Sequence, residues 1–137
     1  MAVIPVVDSI KVQVLVNNVP LQEYSPDDDE LELKSDDHDR LISKYIEAKS
    51  DVLFTVQAAI DERFQQLHKD FDLRIAFAVD GIHMASRLYY RREFLRGKLC
   101  NVAGNRYYLN GIPHEKAFKF SQLSIGKSSS AGKVYSF

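Results

Sequence analysis

The chain has 137 residues, a formal net charge of −1, and ordinary fractions of apolar (45%) and charged (27%) residues. This length suits one domain with a single core, and the composition excludes a long coiled coil or a wholly disordered chain. The single cysteine, Cys100, excludes an intramolecular disulfide and favours a reducing compartment, the nucleus or the cytoplasm. The apolar segment 1–10 is too short to span a membrane and lacks the pattern of a signal peptide. We therefore expect an intracellular protein with no membrane role.

The first strands are predicted from a period of two. Segment 10–16 places Ile or Val at every second position, as in a strand with one apolar face. Asn17 and Asn18 follow, and they can form a tight turn because asparagine tolerates a positive φ. We expect a second strand over 21–24, at a sheet edge because of Pro20.

An acidic segment follows at about 25–40. It carries eight carboxylates against only Lys34 and Arg40. Because like charges this dense repel one another and cannot be buried unpaired, a loop outside the core is expected. This loop could attract a basic partner or serve solubility alone. His38 lies within it without a second ligand at suitable spacing, so no metal site is predicted.

Further strands and one short helix are expected downstream. Phe64, Leu67 and Phe71 recur at helical spacing, and Asp61 can cap the first turn. Alternation and turn residues predict the remaining strands. These lie at 44–48, 51–60, 73–79, 82–95, 106–109 and 117–123, with turns at Asp80-Gly81 and Asn110-Gly111.

The number of strands sets the expected fold class. About seven to eight short strands separated by turns predict a mainly β fold, an antiparallel β-sandwich or jelly roll with one short helix. We expect one domain over residues 1–125. Residues 126–137 are rich in Gly, Ser and Lys, the composition of a flexible tail.

Four sequence pieces carry a family resemblance. They are VLVNNVPLQEY (14–24), KYIEA (44–48) leading to Phe54, FAVDG (77–81) and FKFSQL (118–123). Their order and spacing, over roughly residues 5–123, resemble the uncharacterised fungal domain found at the N-terminus of many ascomycete and basidiomycete proteins. The resemblance implies a β-sandwich-like domain, often followed by a low-complexity tail, and carries no established activity. The chain departs from that pattern in a longer segment 61–71 and in a Tyr/Arg-rich stretch after Leu88.

That basic, tyrosine-rich stretch, residues 87–98, is the strongest candidate for a binding surface. Arg106, Tyr107 and Tyr108 lie nearby in the sequence. Arginine binds phosphates or carboxylates, and tyrosine stacks on bases. The alternative is a hairpin whose outer face is basic and whose aromatic residues pack inward. The residues predicted to bind a partner are Arg87, Tyr89, Arg91, Arg92, Arg96 and Lys98.

No catalytic, cofactor or metal site is predicted. The serines lack a nucleophile elbow, Cys100 has no local signature, and Gly97, Gly104 and Gly111 are too far apart to cradle a phosphate. We expect a non-enzymatic protein-interaction module that uses the basic stretch and exposed edge strands. The acidic loop of one copy could meet the basic stretch of another, giving a homo-oligomer. The alternative is a nucleic-acid or chromatin-associated module that uses the same surface, and a small hydrolase-like enzyme ranks third.

Overall fold

The computed structural model describes residues 2–4, 7–26, 42–64, 70–94, 97–122 and 135–136. Most of these residues lie in antiparallel strands, which confirms the mainly β prediction. No helix in this part of the chain has the length and apolar character needed to cross a bilayer. The strands are β1 Ala2–Ile4, β2 Val7–Val16, β3 Val19–Pro20, β4 Glu23–Tyr24, β5 Ser43–Ile46, β6 Thr55–Ile60, β7 Leu73–Val79, β8 Ile82–Tyr89, β9 Lys98–Val102, β10 Gly104–Leu109, β11 Ile112–Ala117 and β12 Tyr135–Ser136.

The largest sheet has the order β1-β2-β6-β9, and β3 also pairs with β2. Its register aligns apolar residues across three strands, since Val14 lies opposite Val56 and Val56 lies opposite Val102. In the same way Ala58 lies beside Cys100, and all five side chains are buried. The period of two over 10–16 therefore marks the core face, as predicted.

A second sheet, the β7–β8 hairpin, shares this core. Leu73 and Phe77 face the same side as Tyr89 in the hairpin register. Phe77 and Tyr89 are buried in one cluster with the side chains of the large sheet. Two sheets thus contribute to a single core, while the sandwich or jelly-roll arrangement stays a prediction.

The three predicted turns are confirmed. Each joins two paired strands through two residues with positive φ, the geometry of a type I′ turn, whose twist matches that of the flanking strands. The φ angles are 52° and 62° at Asn17 and Asn18, 51° and 77° at Asp80 and Gly81, and 50° and 75° at Asn110 and Gly111.

The first hairpin is shorter than predicted. Its second strand is β3 rather than 21–24, and the last backbone contact runs from Leu21 N to Val14 O at 2.8 Å. Beyond that point the chain pairs elsewhere, because β4 lies against β5 with Glu23 opposite Ile46. β5 in turn pairs with β12.

The predicted strand 82–95 is also too long, since β8 ends at Tyr89. The backbone then turns, because Tyr90 and Glu93 bond to each other. Glu93 N donates to Tyr90 O at 2.8 Å, and Tyr90 N donates to Glu93 Oε2 at 2.6 Å. These local bonds replace the strand ladder with the short 3₁₀ helix Arg91–Phe94.

An edge strand of the large sheet is interrupted. β9 follows β6 from Ile60 to Val56, and residues 118–120 continue beside 52–54. Phe54 N donates to Phe118 O at 3.1 Å, and Phe120 N donates to Val52 O at 3.0 Å. The strand predicted over 117–123 is therefore only this short bridge. The β10–β11 hairpin is inserted in the edge between its two parts.

Several predictions fall largely outside the described residues. The acidic loop is described only at residues 25 and 26, and the predicted helix lacks 65–69. At its start, Asp61 Oδ1 accepts a hydrogen bond from Arg63 N at 2.7 Å, the contact expected of a cap. Of the predicted tail, only the two residues of β12 are described.

Candidate interaction surface

The inserted β10–β11 hairpin, here called the ribbon, has both faces in solvent. Every residue from Arg106 to Ala117 is exposed. Its large apolar side chains include Tyr108 (76% exposed) and Ile112 (60% exposed), together with Leu109. A two-stranded hairpin with no covered face is at best marginally stable alone, so the ribbon depends on how the domain holds its base.

The base of the ribbon is closed by backbone contacts. Phe118 N donates to Ala103 O at 2.8 Å. One residue further, Gly104 lies opposite Ala117, and a Cβ on Gly104 would lie only 2.5 Å from Lys116 O. Only glycine fits this close approach of the two strands.

Cross-strand pairs order the ribbon. Arg106 Nε lies 3.2 Å from Glu115 Oε2, and the Tyr107 and His114 rings stack with centroids 5.5 Å apart. Directly opposed pairs of this kind stabilise a hairpin by a few tenths of a kcal/mol to about 1 kcal/mol each. The ribbon therefore presents its aromatic and aliphatic side chains from an ordered scaffold.

A groove of about 380 Å³ lies between β8 and the β9–β10 corner. The lining includes two runs of four successive residues, 84–87 from β8 and 101–104 from the corner, while Arg106 and Glu115 of the ribbon also contribute. Because the face of a strand presents alternate residues, successive residues indicate that the groove is bounded by strand edges.

The predicted binding residues do not form one surface. Arg87 is exposed and lines the groove. Tyr89, two residues further on, is only 8% exposed and belongs to the core cluster. Because so little of its side chain is exposed, Tyr89 cannot stack on a partner, and it belongs to neither the ribbon nor the groove lining.

The other predicted residues lie after β8. The Arg92 guanidinium carbon lies 5.4 Å from the centre of the Tyr90 ring, and both residues are exposed. Lys98 is half-buried at the start of β9, beside Ile60. The Arg91 side chain and all of Arg96 lie outside the described residues.

Burial and two neighbours perturb the Tyr89 phenol. Burial raises its pKa above 10.0, the neighbouring Cys100 thiol raises the pKa further, and Arg87 acts in the opposite direction. The neutral phenol is therefore favoured in the folded protein. Arg87 therefore lies beside the buried Tyr89 phenol and also lines the open groove.

Sequence reasoning missed Ile112, the second strand of the ribbon and the groove. One signal was available, since Asn110-Gly111 lies between Leu109 and Ile112, a strong hairpin pattern. The groove had no signal because it arises between strands distant in sequence. Within the described chain, no group of three or more His, Cys, Asp or Glu side chains could hold a metal ion.

Comparison with known proteins relates the chain to a family. The family model described as "Domain of unknown function (DUF7918)" matches residues 9–135. No curated protein and no solved structure matches the chain.

Proposed function

Because the chain belongs to the DUF7918 family, a domain of unknown function, we propose a function from its own surface: it is a non-enzymatic module that binds a protein partner through the ribbon. The observation that carries this proposal is the exposure of the ribbon on both faces, with Tyr108, Leu109 and Ile112 in solvent. Concentrated exposed apolar side chains mark interaction sites more often than isolated ones do.

The composition of the ribbon supports a protein partner over a nucleic acid. Tyrosine and arginine are enriched among residues that dominate protein interfaces. Arg106 is paired with Glu115, so a phosphate would have to compete with that carboxylate. The nucleic-acid alternative would instead require free cations beside stacking aromatic residues.

The test compares two matched substitutions. Ile112→Thr and Val19→Thr each replace a β-branched residue that directly follows a type I′ turn, and the two side chains are 60% and 63% exposed. Each tagged protein is used to capture partners from extract, and captured proteins are quantified by mass spectrometry. We expect a specific set that Ile112→Thr depletes and Val19→Thr retains.

Two further measurements separate the alternatives. Light scattering tests self-association, and a dimer lost only in Ile112→Thr would identify a second copy as the partner. Binding of labelled single-stranded RNA that weakens steeply with salt would support the nucleic-acid reading instead. Equal capture by both variants would contradict the proposal that the ribbon contacts the partner.

The finer predictions about source rest on the resemblance, the predicted location rests on the single cysteine, and all of them stay predictions. They are a fungal origin, a position at the beginning of a longer protein, and a nuclear or cytoplasmic location. A fluorescent fusion expressed in fungal cells would test the location.

A further inference from the structure

We infer that the groove between β8 and β9 receives an extended peptide segment that pairs as a strand and places an acidic side chain against Arg87. This inference rests on the proposed function, because it names the kind of partner segment that the same region binds. Three observations carry it: the open strand edges, the mixed polar and apolar lining, and the charge of Arg87.

Two strand edges bound the groove. Among the described residues, β8 pairs only with β7 on one side, and β9 pairs only with β6. Residues 84–87 of β8 and 101–102 of β9 therefore bring open strand edges to the groove, whereas Ala103 and Gly104 pair with the base of the ribbon. An open edge carries N–H and C=O groups that an incoming extended chain can satisfy, which is the basis of strand addition.

The size of the groove sets the length of the segment. An extended residue occupies roughly 160 Å³, taking about 3.3 Å along the strand, 4.8 Å between strands and 10 Å between sheets. The groove of about 380 Å³ thus holds between two and three residues. A short extended segment fits this space, whereas a folded element would not.

The lining determines which side chains fit. More of the lining surface is polar than apolar, with Ser86 and Asn101 beside the charged side chains. Met84, Ala85, Val102 and Ala103 supply the apolar part, against which small or β-branched side chains such as valine and threonine can pack. Of the two arginines that line the groove, Arg106 is already paired with Glu115. No carboxylate in the described part of the chain pairs with Arg87. Because an arginine carries five donors, Arg87 can bind a carboxylate while it remains beside the Tyr89 phenol.

The test uses synthetic peptides. The probe is a fluorescein-labelled seven-residue peptide that alternates valine and threonine about one central glutamate. One control peptide has lysine at the centre. The other keeps the glutamate and carries N-methyl groups at alternate residues, which removes backbone donors without changing the charge. Fluorescence anisotropy reports binding, and amide exchange at 84–87 and 101–102 reports its location.

Two substitutions test the role of Arg87. Arg87→Glu reverses the charge in the groove. Arg74→Glu makes the same reversal on the opposite face of the same hairpin, where Arg74 Nε donates to Ser86 Oγ at 2.9 Å. There, the introduced carboxylate can still accept a hydrogen bond from Ser86.

The expected result is that the acidic probe binds and slows amide exchange at both edges. Arg87→Glu should weaken binding at least about tenfold, the loss expected for a charge-assisted hydrogen bond, and Arg74→Glu should leave it unchanged. The inference is overturned if the acidic probe fails to bind, if the N-methylated or lysine peptide binds equally well, or if both charge reversals weaken binding alike. Failure of the probe with continued ribbon-dependent capture would remove this inference and leave the proposed function intact.

Discussion

The base of the ribbon is sensitive to a single methyl group. In Gly104→Ala, the new Cβ would lie 2.5 Å from Lys116 O and 3.0 Å from the Ala117 Cα. The Cβ and the Lys116 oxygen must separate by about 0.9 Å to reach ordinary contact at 3.4 Å. Overpacking of this kind costs about 1–3 kcal/mol. The loss of glycine entropy in the unfolded chain offsets roughly 0.4–1 kcal/mol, so we expect a net loss of about 1–2 kcal/mol, concentrated in the ribbon.

Hydrogen exchange resolved by residue measures this loss where it occurs. A local cost of about 1–2 kcal/mol corresponds to roughly 5–30-fold faster exchange of ribbon amides, while the amides shared by β2 and β6 keep their protection. Gly81→Ala is the control, because Gly81 has a φ of +77° and a Cβ added there would meet no neighbouring atom within 4 Å. It strains the turn of another hairpin without a clash. If the ribbon amides of Gly104→Ala exchange at the same rate as in the unaltered protein, the close approach of the two strands at Gly104 is refuted.

Three other perturbations follow from the same structure. The unfolded chain ionises the Tyr89 phenol near pH 10.0, whereas the folded protein holds that proton to higher pH. The free energy of unfolding should therefore fall as pH rises above about 10, and Tyr89→Phe should make this fall shallower. Parallel pH profiles of the two proteins would contradict this prediction. Phe118→Ala should lower the free energy of unfolding by about 3–5 kcal/mol in urea titrations; Tyr108→Ala, at an exposed site, should lower it by less than about 0.5 kcal/mol, and similar losses would contradict the assigned core. Gln57→Glu should cost about 1 kcal/mol, because a carboxylate cannot make the 2.9 Å donation from Nε2 to Asn101 Oδ1; an unchanged midpoint would show that this contact does not contribute.

Local chemistry explains what could be predicted. A two-residue turn requires positive φ at fixed positions, so Asp80-Gly81 and Asn110-Gly111 mark their turns without knowledge of the rest of the fold. The alternation over 73–79 likewise survives in the structure, because one face of β7 lies on the core and the other in solvent. Where burial follows a period of two, the strand can be predicted from the sequence.

The missed elements lack that one-sided burial. β11 contains Pro113, His114, Glu115 and Lys116, and all of its residues are exposed, so no apolar face marks it as a strand. The end of β8 at Tyr89 could not be predicted from an apolar pattern either, because the change in backbone direction depends on the hydrogen bond from Tyr90 N to the Glu93 side chain. The groove depends on the spacing between β8 and the β9–β10 corner, which no local pattern encodes.

The distribution of open edges connects the ribbon with the groove. Tyr108 lies opposite Pro113 within the ribbon, and proline has no N–H to offer an incoming strand. The outer edge of β11 is therefore blunted, as natural sheets often blunt edges that would otherwise recruit other chains. The edges of β8 and β9 at the groove carry no proline in residues 84–87 or 101–102. In the binding mode proposed above, the blocked edge of β11 directs strand addition to the open edges beside Arg87, and the ribbon contributes side chains rather than backbone to the partner.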